Sequence, residues 1–141
     1  MTNPILAART AAILRHPDLM RLGFDLNGLC VTGLRYTVVA QAIEDGRIAC
    51  EAVEQMPVTP GQRLAPGTQV AALYAPERDT MFFPREGYGQ SSAYERTTIL
   101  HEATHALFDV FAGGDDVRVL AIDDESVAVL AQAFYLSLIH I

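Results

Sequence analysis

The chain of 141 residues contains no lysine and no tryptophan, and Cys30 and Cys50 are its only cysteines. Without lysine it cannot contain the P-loop motif that cradles nucleoside triphosphates, because that motif requires one. Two cysteines without C-x-x-C spacing make neither a disulfide framework nor a thiolate metal site. We therefore expect both thiols to be buried, inert side chains.

Basic charge is also scarce. Ten basic residues face seventeen acids, and the formal net charge is −7. This balance excludes a general nucleic-acid-binding protein, since nothing neutralises a run of phosphates. The chain has no apolar run of the roughly 18 residues that a membrane span needs, and its N-terminus lacks the basic region of a secretory signal. A soluble cytoplasmic protein without nucleic-acid or membrane partners is the default expectation.

The last six residues, Leu136–Ile141, read LSLIHI and resemble a translated sequencing adapter. This interpretation predicts one domain over residues 1–135, truncated at its C-terminus, and gives His140 no functional weight. The alternative is a genuine apolar helix end. Half of the residues are hydrophobic, which is enough for a single core and excludes a disordered chain.

Hydrophobic spacing and turn residues predict a small α+β domain. The predicted helices are Pro4–Arg15, Leu34–Glu44, Ala93–Phe111 and one that begins at Asp123 or Asp124. Strands are predicted over Ile48–Val53, Thr68–Tyr74 and Thr80–Phe83, and together they suggest a short antiparallel sheet. The glycine-rich segment Gly23–Gly33 is interpreted as a connection, and Met56–Gly67 as a loop.

The long third helix carries the sequence H-E-A-T-H, from His101 to His105. Ser92 and Glu95 form a capping-box pattern before this helix. Histidines four residues apart lie one above the other on a helix face, so both imidazoles can converge on one ion. Zinc prefers such ligands, and Glu102 beside them can reach a water on the metal as a general base. The alternative is two ordinary histidines on an amphipathic helix.

A catalytic zinc needs a third protein ligand. His16 lies far upstream beside a proline, and we expect it to be an exposed loop residue. Glu125 follows His105 by twenty residues at the start of the next helix, and an antiparallel helix pair would bring its carboxylate over the histidines. Asp124 is the nearest competitor. Asp115, Asp116, Asp123 and Asp124 could also form a calcium site, but no EF-hand spacing supports it, and the alternative is a solvated acidic loop.

This pattern resembles the gluzincin metallopeptidases, in which H-E-x-x-H is followed by a glutamate on a later helix, as in thermolysin-like enzymes. The resemblance covers Thr97–Ala131, about a quarter of the chain. It implies that His101, His105 and Glu125 bind Zn²⁺ and that Glu102 is the general base.

The resemblance also implies a zincin-like fold and a zinc-dependent peptidase that acts on a peptide or protein. The substrate would lie as an extra strand along a sheet edge above the metal. Thr80–Phe83 is the strand expected at that edge, because it precedes the motif helix most closely.

Two departures from the family pattern affect these expectations. Thermolysin-like enzymes have an aspartate four residues after the glutamate ligand, where this chain has Val129. Asp109 is the substitute candidate for supporting a ligand histidine from behind, with an exposed acid or a salt bridge as its alternative role. The donor that stabilises the developing oxyanion lies in the family beyond the glutamate helix. Tyr88 and Tyr94 are candidates here, although packing explains each of them equally well.

The leading hypothesis is therefore a zinc metallopeptidase that hydrolyses peptide bonds. A second hypothesis is a metal-stabilised, non-catalytic module that docks a protein partner along its sheet edge. A third makes the same domain the catalytic part of a larger toxin or regulator.

Overall fold

The computed structural model describes residues 2–26, 28–56, 71–112 and 121–139. These residues form an α+β structure, as predicted. The helices are α1 (Pro4–Leu14), α2 (Gly33–Glu44), α3 (Ala93–Ala112) and α4 (Ala121–Ile139). The strands are β1 (Gly23–Leu26), β2 (Leu29–Thr32), β3 (Ala49–Ala52), β4 (Leu73–Ala75) and β5 (Thr80–Phe83), and short 3₁₀ turns cover Pro17–Arg21 and Pro76–Arg78. None of the described helices has both the length and the apolar character that a bilayer crossing requires.

The main sheet has three strands in the order β3-β5-β4. β4 and β5 are antiparallel, but β3 and β5 are parallel, so the prediction of an antiparallel sheet is wrong for one of its two pairings. The alternation of side chains along a strand does not reveal whether that strand runs parallel or antiparallel to its neighbour. The relative direction depends on the path that the chain takes between β3 and β4. That path includes the predicted loop Met56–Gly67, and residues 57–70 lie outside the described residues.

The central position of β5 corrects a second expectation. All four residues of Thr80–Phe83 are buried, and the strand has hydrogen-bonded neighbours on both sides. A short, continuously apolar strand is typical of a sheet covered on both faces. Thr80–Phe83 therefore cannot supply a free edge to a substrate. Of the strands that the structure describes, β4 lies at the edge of this sheet, on the side that contacts α3.

The expected connection between Gly23 and Gly33 is instead a β-hairpin. β1 and β2 pair antiparallel, with Leu26 opposite Leu29. The two intervening positions read Asn-Gly, the preferred sequence of a two-residue hairpin turn. Gly28 has φ of 83°, which glycine adopts without strain. The Asn-Gly pair predicts this hairpin, whereas the three glycines of the segment alone suggest an irregular connection.

Helix α3 begins at the predicted position. The Glu95 N–H donates to Ser92 Oγ at 3.3 Å, which is one half of a capping box. The Glu95 carboxylate does not complete the box but accepts from the Gly89 N–H at 2.9 Å and from Arg85. This contact ties the loop before the helix to its first turn.

The core surrounds the inner face of α3. Leu100, Ala103, Thr104 and Leu107 are buried there. The three motif residues with chemical function, His101, Glu102 and His105, are half-buried. Thr104 Oγ1 donates to the Leu100 carbonyl and lies 2.7 Å from the buried Tyr36 hydroxyl of α2. The inner face of α3 thus packs against the core, and its opposite face carries His101, Glu102 and His105. Of the two free cysteines, Cys50 is buried in β3, where burial raises its pKa to about 12, and Cys30 is half-buried.

We predict that Gly33→Ala destabilises the fold. A Cβ at Gly33 would overlap the Leu19 carbonyl, lying 2.6 Å from its carbon, and backbone cannot move aside as a side-chain end can. Overpacking of this kind typically costs about 1–3 kcal/mol or more. Denaturant titration should show the loss, while Gly23→Ala, whose added Cβ meets nothing within 4 Å, should unfold nearly as the wild type does. Equal midpoints for the two variants would contradict this packing.

Candidate metal centre

Helix α3 brings the motif side chains together on its outer face. His101 and His105 are one turn apart, and their ring centroids are separated by 5.1 Å. One potential ligand atom from each of His101, Glu102 and His105 lies within 4.8 Å of the other two. The spacing of the motif and the helical repeat are sufficient to explain this grouping.

Helix α4 supplies the acid predicted from the sequence. Glu125 Oε1 lies 2.9 Å from His101 Nε2, and its Oε2 lies 3.3 Å from His105 Nε2. The contacts of residues 97, 101 and 105 with residues 132, 125 and 124 show that α3 and α4 run antiparallel. One carboxylate therefore contacts both Nε2 atoms, and the side chains of His101, His105 and Glu125 face one another.

The other nitrogen of each imidazole has its own partner on α4. His105 Nδ1 lies 2.8 Å from Asp124 Oδ1, and His101 Nδ1 lies 3.2 Å from Gln132 Oε1. A carboxylate can only accept, so the Asp124 contact keeps the proton on Nδ1 and directs Nε2 toward a metal. Asp124 thus supports His105 from behind, which differs from the competing ligand role considered above.

Of the two roles considered for Asp109, support of a ligand histidine is not observed, and Asp109 is an exposed acid. Its carboxylate accepts from the Tyr74 hydroxyl at 2.6 Å, and the ring nitrogens are contacted by Asp124 and Gln132 instead. Four residues after His105, Asp109 lies one turn too far along α3, beyond the site. Gln132 was missed, although it follows Glu125 by seven residues, a spacing that places both on one face of α4.

The acids around His105 change its pKa. Burial alone lowers the pKa of His105, but the hydrogen bond and charge of Asp124, with Glu102 and Glu125 nearby, outweigh burial and raise it. The unloaded imidazole therefore holds a proton to higher pH than a free histidine does. A metal ion bound here would compete with that proton, so its affinity would increase as the pH rises through this pKa.

Glu102 lies in a different environment from Glu125. Its Oε2 accepts from the Tyr74 backbone N–H of β4 at 2.9 Å. Burial raises the pKa of Glu102, and the Tyr74 hydrogen bond and the two histidines oppose this only in part. A carboxylate with a raised pKa exchanges protons closer to neutral pH, as a general base requires.

The remaining candidate residues lie apart from this group. His16 is exposed, as predicted, and accepts from the Asp18 N–H at the start of a 3₁₀ turn. Tyr88 is buried against Phe83, and Tyr94 is exposed. Both tyrosines line a cleft of about 500 Å³ at the N-terminal end of α3. A role for either in stabilising an oxyanion stays a prediction.

Comparison of the chain with protein-family models, with curated proteins and with solved structures finds no match.

We predict that Asp124→Ala and Gln132→Ala weaken metal binding without abolishing it. Loss of a partner behind a ligand histidine typically lowers affinity by about 10–100-fold. Competition with a chromophoric zinc chelator measures the dissociation constant. Val129→Ala, an exposed change on the same helix, serves as the control and should bind zinc as the wild type does. An unchanged dissociation constant in both partner variants would show that these contacts do not orient the histidines.

Proposed function

We propose that this protein is a zinc-dependent metallopeptidase with a zincin-like fold. The observation that carries the proposal is the contact of the Glu125 carboxylate with both Nε2 atoms, next to a half-buried Glu102. Two imidazoles and one carboxylate are the ligand set of many catalytic zinc sites, in which a fourth position stays open. The donor chemistry of these residues therefore fits Zn²⁺.

The ion, when bound, supplies Lewis acidity and makes hydroxide available near neutral pH. The chain's own residues supply the rest. His101, His105 and Glu125 fix the position of the ion, and Asp124 and Gln132 fix the histidines. Glu102 takes a proton from the attacking water as the water oxygen adds to the carbonyl carbon of the substrate. Glu102 then delivers this proton to the amine nitrogen as the C–N bond breaks.

The outer edge of β4 is the best candidate for positioning a peptide. Among the described residues β4 pairs with β5 alone, and on its other edge the Tyr74 N–H already donates to Glu102. A peptide there would therefore pair through the outward-facing Tyr74 carbonyl. An extended peptide added at this edge would pass close to the general base. Main-chain pairing of this kind binds many sequences, since it depends on the backbone.

Metal analysis and a cleavage assay test the proposal together. The purified protein should bind one zinc per chain and cleave an unfolded protein substrate, with new termini detected by mass spectrometry. Chelation should stop cleavage, and added zinc should restore it. Failure to bind zinc would contradict the metal centre. Zinc binding without cleavage of broad peptide libraries would favour a non-catalytic module.

A further inference from the structure

Tyr74 contacts the motif helix at two points. Its backbone N–H donates to Glu102 Oε2 at 2.9 Å, and its side-chain hydroxyl donates to Asp109 Oδ2 at 2.6 Å. Glu102 and Asp109 are seven residues apart, which is two helical turns and about 10.5 Å along the axis. A single residue of β4 therefore spans two turns of α3.

Strand pairing explains why the Tyr74 N–H is available to Glu102. Tyr74 lies opposite Met81 in the antiparallel β4–β5 pair. Residues along such a pair alternate between exchanging hydrogen bonds with the partner strand and directing their N–H and C=O groups away from it. Because the Tyr74 N–H contacts Glu102, Tyr74 directs its N–H and C=O groups away from β5. The position of β4 therefore determines where this hydrogen-bond donor lies.

The side-chain contact holds β4 in place. Tyr74 is only 5% exposed, whereas Asp109 is at the surface. A hydroxyl that donates to a carboxylate forms a short, charge-assisted hydrogen bond. Burial, then the hydrogen bond and charge of Asp109, and to a smaller extent those of Asp79, raise the pKa of Tyr74. The hydroxyl therefore remains a donor throughout the neutral range.

We propose that Asp109 is a positioning residue for the general base and acts through Tyr74. Asp109 holds the tyrosine along α3, and the tyrosine holds its own N–H against Glu102 Oε2. Within the described part of the chain no residue hydrogen-bonds Glu102 Oε1, which can accept a proton from water. The catalytic half of this inference rests on the proposed function. A misplacement of about 1 Å at a reacting group can reduce turnover on the order of 100-fold. Holding Glu102 at Oε2 also fixes the position of Oε1, the oxygen that takes the proton.

Amide exchange tests the contact without reference to activity. In ¹⁵N-labelled protein, Asp109→Ala and Tyr74→Phe should each increase the exchange rate of the Tyr74 amide on the order of 10-fold, with the α3 amide of Leu107 unchanged. Asp109→Asn should stay close to the wild type, because an amide oxygen still accepts from the hydroxyl. Glu77→Ala, an exposed acid next to β4, is the matched control. Unchanged exchange in Asp109→Ala would overturn the inference.

Kinetics test the catalytic half. Asp109→Ala should lower kcat on the order of 10-fold while the zinc dissociation constant stays unchanged, because the Asp109 side chain hydrogen-bonds Tyr74 and neither histidine ring. Asp109→Asn should restore most of the turnover. Faster amide exchange with unaltered kcat in an active enzyme would overturn the positioning role alone. A wild-type protein that binds zinc but cleaves nothing would contradict the proposed function and this catalytic half with it, while exchange would still decide whether the contact exists.

Discussion

Glu102→Gln should abolish proteolysis and leave zinc bound. Glutamine has nearly the same shape and still offers an oxygen to the Tyr74 N–H, so the contact that holds residue 102 is kept. Glutamine cannot take up the proton of the attacking water. General acid–base catalysis contributes about 10²–10⁴-fold, and kcat should fall by a factor in this range. Single-turnover cleavage of a fluorogenic peptide, with zinc content measured on the same sample, checks both parts.

The control for this substitution is Glu77→Gln, which makes the same chemical change at an exposed acid outside the site. It should leave cleavage unaltered. A Glu102→Gln enzyme that retained more than about a tenth of wild-type kcat would remove Glu102 from the base role, since even the weakest general base contributes more.

Glu125→Ala should remove zinc binding but hardly affect the metal-free fold. Glu125 is 59% exposed, and exposed ion pairs contribute about 0–1 kcal/mol, so the metal-free Tm should shift little. Loss of a direct ligand should weaken zinc affinity more than the roughly 10–100-fold expected for a partner behind a histidine. At zinc concentrations near 100 times its Kd, the wild type gains about 2.7 kcal/mol, and the variant should gain almost none.

Thermal unfolding with and without zinc separates these effects. Val129→Ala, one turn further along α4 and similarly exposed, should keep the full zinc-dependent shift in Tm. A Glu125→Ala protein stabilised by zinc as strongly as the wild type would exclude Glu125 as a ligand, and the three-residue centre would fail.

The sequence predicted best what depends on local spacing. The helical repeat brought His101, Glu102 and His105 together, and the antiparallel helix pair placed Glu125 over the two histidines. Strand direction and strand order were not predictable, because they depend on contacts between distant segments. The parallel β3–β5 pair and the central position of β5 are both of this kind.

Side-chain partners outside the motif were harder still. Asp109 was assigned to a histidine on spacing alone, but it contacts Tyr74, a residue of a strand whose position no local pattern fixes. Gln132 is an ordinary polar residue on α4 and becomes noticeable only when it lies next to His101. A search for polar residues at two-turn spacing from Glu125 would have found it.

The division of the donors between α3 and α4 has a consequence during synthesis. A growing chain that has emerged only through α3 presents two imidazoles and Glu102, and it lacks Asp124, Glu125 and Gln132 together. Such a nascent chain can hold an ion only weakly. The proposed metal centre can therefore assemble only after α4 has packed against α3. The proposed catalytic activity is expected only after both helices have left the ribosome.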